Sequence, residues 1–405
     1  MSANVQARRV LSGMRPTGAL HLGNYHGALA NWIELQYQYQ CFFFVADWHA
    51  LTTDYEDTSR LPSHIHEMVV DWLAAGINPG VATVFVQSHV PEHAELHLLL
   101  SMITPLGWLE RVPTYKDQQA ELKEKDLATY GFLGYPLLQS ADILVYRPSF
   151  VPVGEDQVAH VEITREVARR FNHLFGSEPD FEAKAEKAAK GLGGKLAAQY
   201  RQLRREYQQE GQQAALEQAR ALVLANNRIT VADRERLLGW LEGSGVAVLT
   251  EPQVLLTKSP KVPGLDGRKM SKSYGNTIGL REDPDSVAKK LKTMQTDPAR
   301  VRRTDPGNPD KCPVFDLHKI YSDAATIEWA DRGCRTAGIG CLECKKPLIE
   351  KVVEFVGGMR KRAQEYEDNP ELVRSILVEG SEKAREAARD TMDEVRRVMH
   401  LSGDL

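Results

Sequence analysis

Short apolar runs that alternate with amphipathic stretches set the strongest limit on what this chain can fold into. Runs from Arg9 to Met14, Cys41 to Val45 and Thr83 to Gln87 have strand length, whereas residues 25–38 carry Ala28, Leu29, Trp32, Ile33 and Leu35 at helical spacing. The alternation holds as far as about Gly176 and predicts an α/β fold, a Rossmann-like doubly wound parallel sheet covered by helices. Such sheets bind ligands beyond the carboxyl ends of their strands. The loops after Met14, Val45 and Val153 are therefore the places to look for chemistry.

The chain has 405 residues, more than one hydrophobic core usually serves. Between Glu182 and Gly245 it becomes rich in Ala, Gln, Glu, Lys and Arg, all good helix formers, and Thr230 stands where it would cap a helix carrying Leu237, Leu238 and Leu241. From Asp283 onward helical pattern dominates, ending in residues 381–401 with Ala387, Ala388, Met392, Val395 and Met399 on one face. The expected division is a Rossmann-like domain over 1–181, a helical insertion over 182–245, completion of the first domain over 246–283, and a helical domain over 284–405. A net charge of −4 argues against non-specific coating of DNA or RNA. With no signal-peptide stretch and no run of about 18 apolar residues, the expectation is a cytoplasmic protein without a membrane partner.

Two segments carry the chemistry. In Ser12-Gly13-Met14-Arg15-Pro16-Thr17-Gly18-Ala19-Leu20-His21-Leu22-Gly23-Asn24 a strand passes into a helix, whose opening amides and partial positive charge suit phosphate, with His21 and Asn24 as added donors. Far downstream, Gly267-Arg268-Lys269-Met270-Ser271-Lys272-Ser273 sets two lysines on a glycine-bordered loop, fit to clamp a pyrophosphate as charge grows on it. Either segment alone could be an ordinary turn or a solvated lysine pair. Together they resemble the two signatures of class I aminoacyl-tRNA synthetases, His-x-Gly-His, here His21-Leu22-Gly23-Asn24, and Lys-Met-Ser-Lys-Ser, here intact. Asparagine in place of the second histidine is allowed in the tryptophan branch. The blocks Ala46 to Thr52, Tyr135 to Ile143, Val151 to Gln157 and Asp297 to Arg303 extend the resemblance to the bacterial tryptophanyl-tRNA synthetases over nearly the whole chain apart from the insertion.

That resemblance implies L-tryptophan, Mg²⁺-bound ATP and tRNA(Trp) as substrates, a homodimer, and adenylate formation followed by transfer to a terminal ribose hydroxyl. It implies catalytic roles for His21, Asn24, Lys116, Lys269 and Lys272. Around ATP it sets Met14, Arg15, Thr17, Gly23, Asn24, Gly154, Asp156, Met270, Ser271, Lys272 and Ser273. Around tryptophan it sets Asp142, Tyr135, Gln157, His49, Val153 and Gln139. Asp142 also has a physical rationale: an indole offers one N–H donor and no acceptor, so a pocket selecting it needs a dry acceptor, and a carboxylate is a strong one. A phenol would donate to the same carboxylate, so a tyrosyl-tRNA synthetase stays open at this point, as does a binding protein of the same fold without catalysis.

Cys312, Cys334, Cys341 and Cys344 are separated by 21, 6 and 2 residues. Four thiolates can hold either zinc or a [4Fe-4S] cluster, and spacing alone does not separate them. A subset of the bacterial tryptophanyl enzymes carries such a cluster on a similar pattern with a first gap one residue longer, so the resemblance favours the cluster over zinc. Lys345, Lys346, Arg300, Arg302 and Arg303 stand nearby as candidate phosphate contacts.

Overall fold

The computed structural model describes residues 8–112, 129–154, 157–176, 180–243, 245–257 and 260–401. Among the described residues five parallel strands form one sheet, β1 (Arg9–Met14), β2 (Gln40–Val45), β3 (Thr83–Val86), β4 (Phe150–Val153) and β5 (Gln253–Leu256), in the order β3-β2-β1-β4-β5. Each predicted run is a strand, because a continuous apolar segment of this length is buried when helices cover both faces. β1 and β2 run in full register from Arg9↔Gln40 to Met14↔Val45. The β1–β4 ladder registers only at Val10↔Phe150, so the strand order reverses between β1 and β4 just where their carboxyl ends are not tied together. That is the switch point at which doubly wound sheets open a crevice.

One apolar cluster packs the helix Leu61–Ala75 and the helix Cys341–Asp368 together on one side of the sheet, through Met68, Trp72, Leu348, Val352, Val356 and Met359. A second cluster fills the other side with Leu137, Ile143, Val161, Phe171 and, from the last helix, Ala384, Ala388 and Met392. Residues 181–242 form four helices around an apolar cluster of their own, with Tyr200, Leu216, Leu237 and Leu241 buried, and the Thr230 hydroxyl caps the fourth helix by accepting from the Asp233 amide at 3.1 Å. Buried Glu251 ties this unit to the helix Val158–Phe175 by accepting from Arg165 and Arg169 and pairing with Arg220. None of the described helices is long and apolar enough to cross a membrane.

The last helix, Pro370–Val398, explains how the edge strand β3 is covered. Val373 and Leu377 join the core on one face of the sheet and Ala384 to Val395 the core on the other, so the helix crosses the edge and leaves no open ladder there. The crossing point is Gly380. A β-carbon at this position would stand 1.8 Å from the carbonyl oxygen of Val84. Gly380→Ala is therefore expected to push the helix off the strand and lower stability by about 1–3 kcal/mol in urea denaturation; an unchanged midpoint would show that the helix is not seated on β3.

Candidate active site

At the end of β1 the chain turns through Arg15 to His21 and enters a helix over residues 22–35, whose second turn, Tyr25–Leu29, is a π turn. Asn24 closes the helix entrance by accepting from the His21 amide at 3.1 Å. The opening amides are only partly free. Leu22 donates to the Ile278 carbonyl at 3.0 Å and Asn24 to the His21 carbonyl at 2.9 Å, which corrects the expectation of a fully open helix end for phosphate. What occupies the Leu22 amide is the downstream segment itself: His21 pairs with Gly279 in an antiparallel bridge, and Leu280 donates back to Leu20 at 3.0 Å.

The lysine loop is thereby held against the first signature. Lys272 donates from Nζ to the Thr17 carbonyl at 2.7 Å, and Met270 is buried with its β-carbon 3.4 Å from the point where a Gly23 side chain would begin. Gly267 and Gly275, with φ of +80° and +62°, border the loop in left-handed conformations that favour glycine. Just after Gly275, buried Asn276 accepts from the Ser271 amide and donates to Asp266 and to the Lys269 carbonyl, and it is this unforeseen side chain that shapes the loop. Ser271 and Ser273 share a 2.8 Å hydrogen bond, whereas Lys269 is exposed. His21 is buried beside Lys272. Burial, and then the lysine's charge, push its imidazolium down to about 4, so the ring is neutral at neutral pH, and its buried Nδ1 has no partner among the described residues.

A cavity of about 420 Å³ opens between the carboxyl ends of β1 and β4. Of the residues assigned from sequence, Arg15, His49, Tyr135, Gln139, Asp142, Val153, Gly154 and Gln157 line it. Arg15 is anchored by Thr53 and Asp54 of the helix Asp47–Asp54. Met14 binds the Ala46 amide through its carbonyl, and Thr17, His21, Gly23, Asn24 and the lysine loop gather beside the cavity, not in its wall. Lys116 and Asp156 lie outside the described residues. Asp142 is wholly buried and more heavily bonded than its sequence setting suggests: Oδ1 accepts from Gln87 Nε2 and His93 Nδ1, and Oδ2 from His49 Nε2, each at 2.7 Å. Burial alone would raise its pKa, but the bonds and charges of His49 and His93 outweigh that and hold it well below the usual carboxylate range. Gln87 and His93 were not anticipated, although Gln87 ends a predicted strand at the very position where such sheets present groups to ligands.

The four clustered thiols share one neighbourhood. Cys312 precedes the helix Pro313–Tyr321, Cys334 lies on Ala324–Arg335, and Cys341 and Cys344 open Cys341–Asp368. Cys344 is pushed up to about 12, first by burial and then by the other three thiols, and Cys312 and Cys334 are raised by burial and by Cys341. Among the described residues no three His, Cys, Asp or Glu side chains converge on a point the size of one ion. Two of the candidate phosphate contacts are otherwise engaged. Lys345 is buried and donates to the carbonyls of Lys292 and Met294, at the end of the helix Pro284–Thr293, and Arg300 is buried and donates to the carbonyls of Arg303 and Ile339. Arg302, Arg303 and Lys346 remain exposed, with Arg303 paired to Glu343.

Comparison with known proteins agrees with this geometry. The family model for class I tRNA synthetases (W and Y) matches residues 4–187 and 212–357. The tryptophan–tRNA ligase of Ralstonia nicotianae is 64% identical over 97% of this chain and 98% of its own, and that of Thermotoga maritima 43% identical over 97% and 99%. The crystal structure of tryptophanyl-tRNA synthetase from Campylobacter jejuni, complexed with ADP and tryptophan, superposes with a TM-score of 0.71 at 28% identity, covering 97% of this chain and all of that one. The tyrosyl enzyme of Archaeoglobus fulgidus, at 17% identity, TM-score 0.54 and coverage of 88% and 90%, shares the fold alone. By these matches the chain belongs to the class I tRNA synthetases of the tryptophan and tyrosine group, among the bacterial tryptophan–tRNA ligases.

Proposed function

We propose that this chain activates L-tryptophan with Mg²⁺-bound ATP and passes it to the 3′ end of tRNA(Trp). In the first step a carboxylate oxygen of tryptophan attacks the α-phosphate in line, giving tryptophanyl-adenylate and releasing pyrophosphate. In the second a terminal ribose hydroxyl attacks the activated carbonyl and AMP leaves. The side chains form no covalent intermediate, so positioning and charge stabilisation carry the rate. The observation that carries the reading is the meeting of Lys272 with Thr17 beside a cavity walled by buried Asp142. Tyr135, Gln139, Gln157, His49 and Val153 would surround the amino acid, and Gly154 and Arg15 the nucleotide. His21, neutral beside Lys272, would add a polar ring to the phosphates' surroundings. Met14, Thr17, Gly23, Asn24, Lys269, Met270, Ser271 and Ser273 would complete the nucleotide's surroundings, with Lys116 and Asp156 as further contacts.

We further infer that Cys312, Cys334, Cys341 and Cys344 hold a [4Fe-4S] cluster. The donor set fits. The amides of Val314 and Phe315 donate toward the Cys312 sulfur, Arg300 reaches Cys334 Sγ at 3.8 Å, and a β-carbon on Gly307 would stand 2.5 Å from that same sulfur, so the space beside it is kept free of side chain. The four thiols act on one another electrostatically, as donors around one centre would, and the resemblance to the cluster-bearing bacterial enzymes favours iron over zinc. Bound there, the cluster would pin three helices of the 284–405 region together, and by the family resemblance we propose that this region receives the anticodon.

Lys272→Ala should slow tryptophan-dependent ATP–pyrophosphate exchange by about 10²-fold, the usual cost of one transition-state donor, while the affinity for tryptophan stays close to that of the unaltered protein. An unchanged exchange rate would remove the clamp from the mechanism. Protein purified without oxygen should be brown, with broad visible absorbance that Cys334→Ser abolishes. Stoichiometric zinc without that absorbance would end the cluster assignment.

A further inference from the structure

A carboxylate offers about four lone-pair positions. On Asp142, Gln87 and His93 fill both positions of Oδ1, and His49 fills one of Oδ2. Among the described residues one acceptor position is left, on the oxygen shared with His49, and both Asp142 and His49 line the cavity. The orientation of His93 is in turn dictated from behind. Its Nε2 lies 2.7 Å from the Tyr146 hydroxyl, and its ring is packed against Phe44, Phe85 and Tyr146. The carboxylate of Asp142 can only accept, so the His93 Nδ1 that lies 2.7 Å from it carries a proton, while the Tyr146 hydroxyl, kept a phenol by burial and then by the negative charges of Asp142 and Glu92, holds the far ring nitrogen.

We propose that His93, fixed by Tyr146 and seconded by Gln87, is a positioning residue that leaves Asp142 a single acceptor toward the cavity and so sets the site's selection for an indole N–H. An indole brings one donor and nothing else to satisfy, which matches one vacant lone pair. A phenol can donate to the same point, but its own lone pairs then face a His49 Nε2–H already spent on Asp142. An aromatic lacking a donor leaves a buried carboxylate position empty, the costliest mismatch. The inference rests on the tryptophan reading above and adds to it the source of discrimination.

The test is ATP–pyrophosphate exchange, on the full-length protein, with tryptophan, tyrosine and β-(3-benzothienyl)alanine, in which sulfur replaces the N–H at nearly constant shape. His93→Phe keeps a ring in the packed site but removes the donor, and should lower the kcat/KM preference for tryptophan over the benzothienyl analogue at least about tenfold. His93→Asn returns a donor near the Nδ1 position and should restore the preference to within about threefold of the unaltered protein. Tyr146→Phe, which keeps the ring and its packing, should lower it about threefold. If His93→Phe does not fold, Tyr146→Phe decides alone. A preference unmoved in every folded variant, with tryptophan exchange intact, overturns the role of His93 and spares the tryptophan reading. Absence of tryptophan-dependent exchange in the unaltered protein overturns both.

Discussion

The bridge between residues 20–22 and 278–280 is the constraint on which the site depends. The glycine-bearing first signature and the lysine loop are separated by more than two hundred positions, and nothing local brings them together. Two backbone hydrogen bonds, Leu22 to Ile278 and Leu280 to Leu20, fix their relative register. Behind the bridge, Asp71, buried in the helix Leu61–Ala75, accepts from the Leu20 amide and from Arg281 Nε, both at 2.6 Å, and Arg281 also reaches Glu67 and Glu367. One carboxylate thus holds both sides of the bridge and links them to the helix Cys341–Asp368. Such buried pairs contribute little when intact relative to apolar packing, yet removing one partner costs about 3–5 kcal/mol. The arrangement is accordingly rigid at its root. Lys272, at the exposed tip, is tied by single hydrogen bonds that a nucleotide can replace.

Placed this way, the loop overhangs the switch point of the sheet. β1 must feed its signature toward β2 on one side and leave room for β4 on the other, and Gly13 shows how closely the parts are fitted, since a β-carbon there would stand 2.4 Å from the Phe44 ring. The π turn over Tyr25–Leu29 does the complementary work on the helix. It rotates Gly27 and Ala28 to the cavity wall, where Gly27 presents open space.

Much of this was legible beforehand because it rests on pattern. Three strands were uniform apolar runs, the two signatures combined glycine, hydroxyl and lysine in order, and Asp142 stood out as one charge among Leu137, Leu138, Ile143 and Leu144. Other parts could not be read because their meaning lies across the fold. His93 is one of two histidines on a mixed helix, Asn276 a polar residue in a loop, and Asp71 a charge on an otherwise buried helix face; each acquires its role from a partner 10 to 210 positions away. The same blindness runs in the opposite sense at Lys345, where a cation in a basic neighbourhood reads as a phosphate contact but in fact terminates a helix by binding its last carbonyls.

The network around Asp142 shows why such partners are not optional. A carboxylate with no exposed surface would ordinarily be driven neutral, since burial disfavours its charge. A neutral Asp142 would carry a proton of its own and present a donor as readily as an acceptor, and the pocket would lose its chemical sign. Three donors, Gln87, His93 and His49, replace the lost hydration and hold the carboxylate in its charged form. Because a half-satisfied buried network is worse than an apolar core, the selection favours completing it from within, and the chain of hydrogen bonds ends only where it reaches Tyr146, a side chain able to donate and to remain uncharged. The single position left over is then the substrate's to fill.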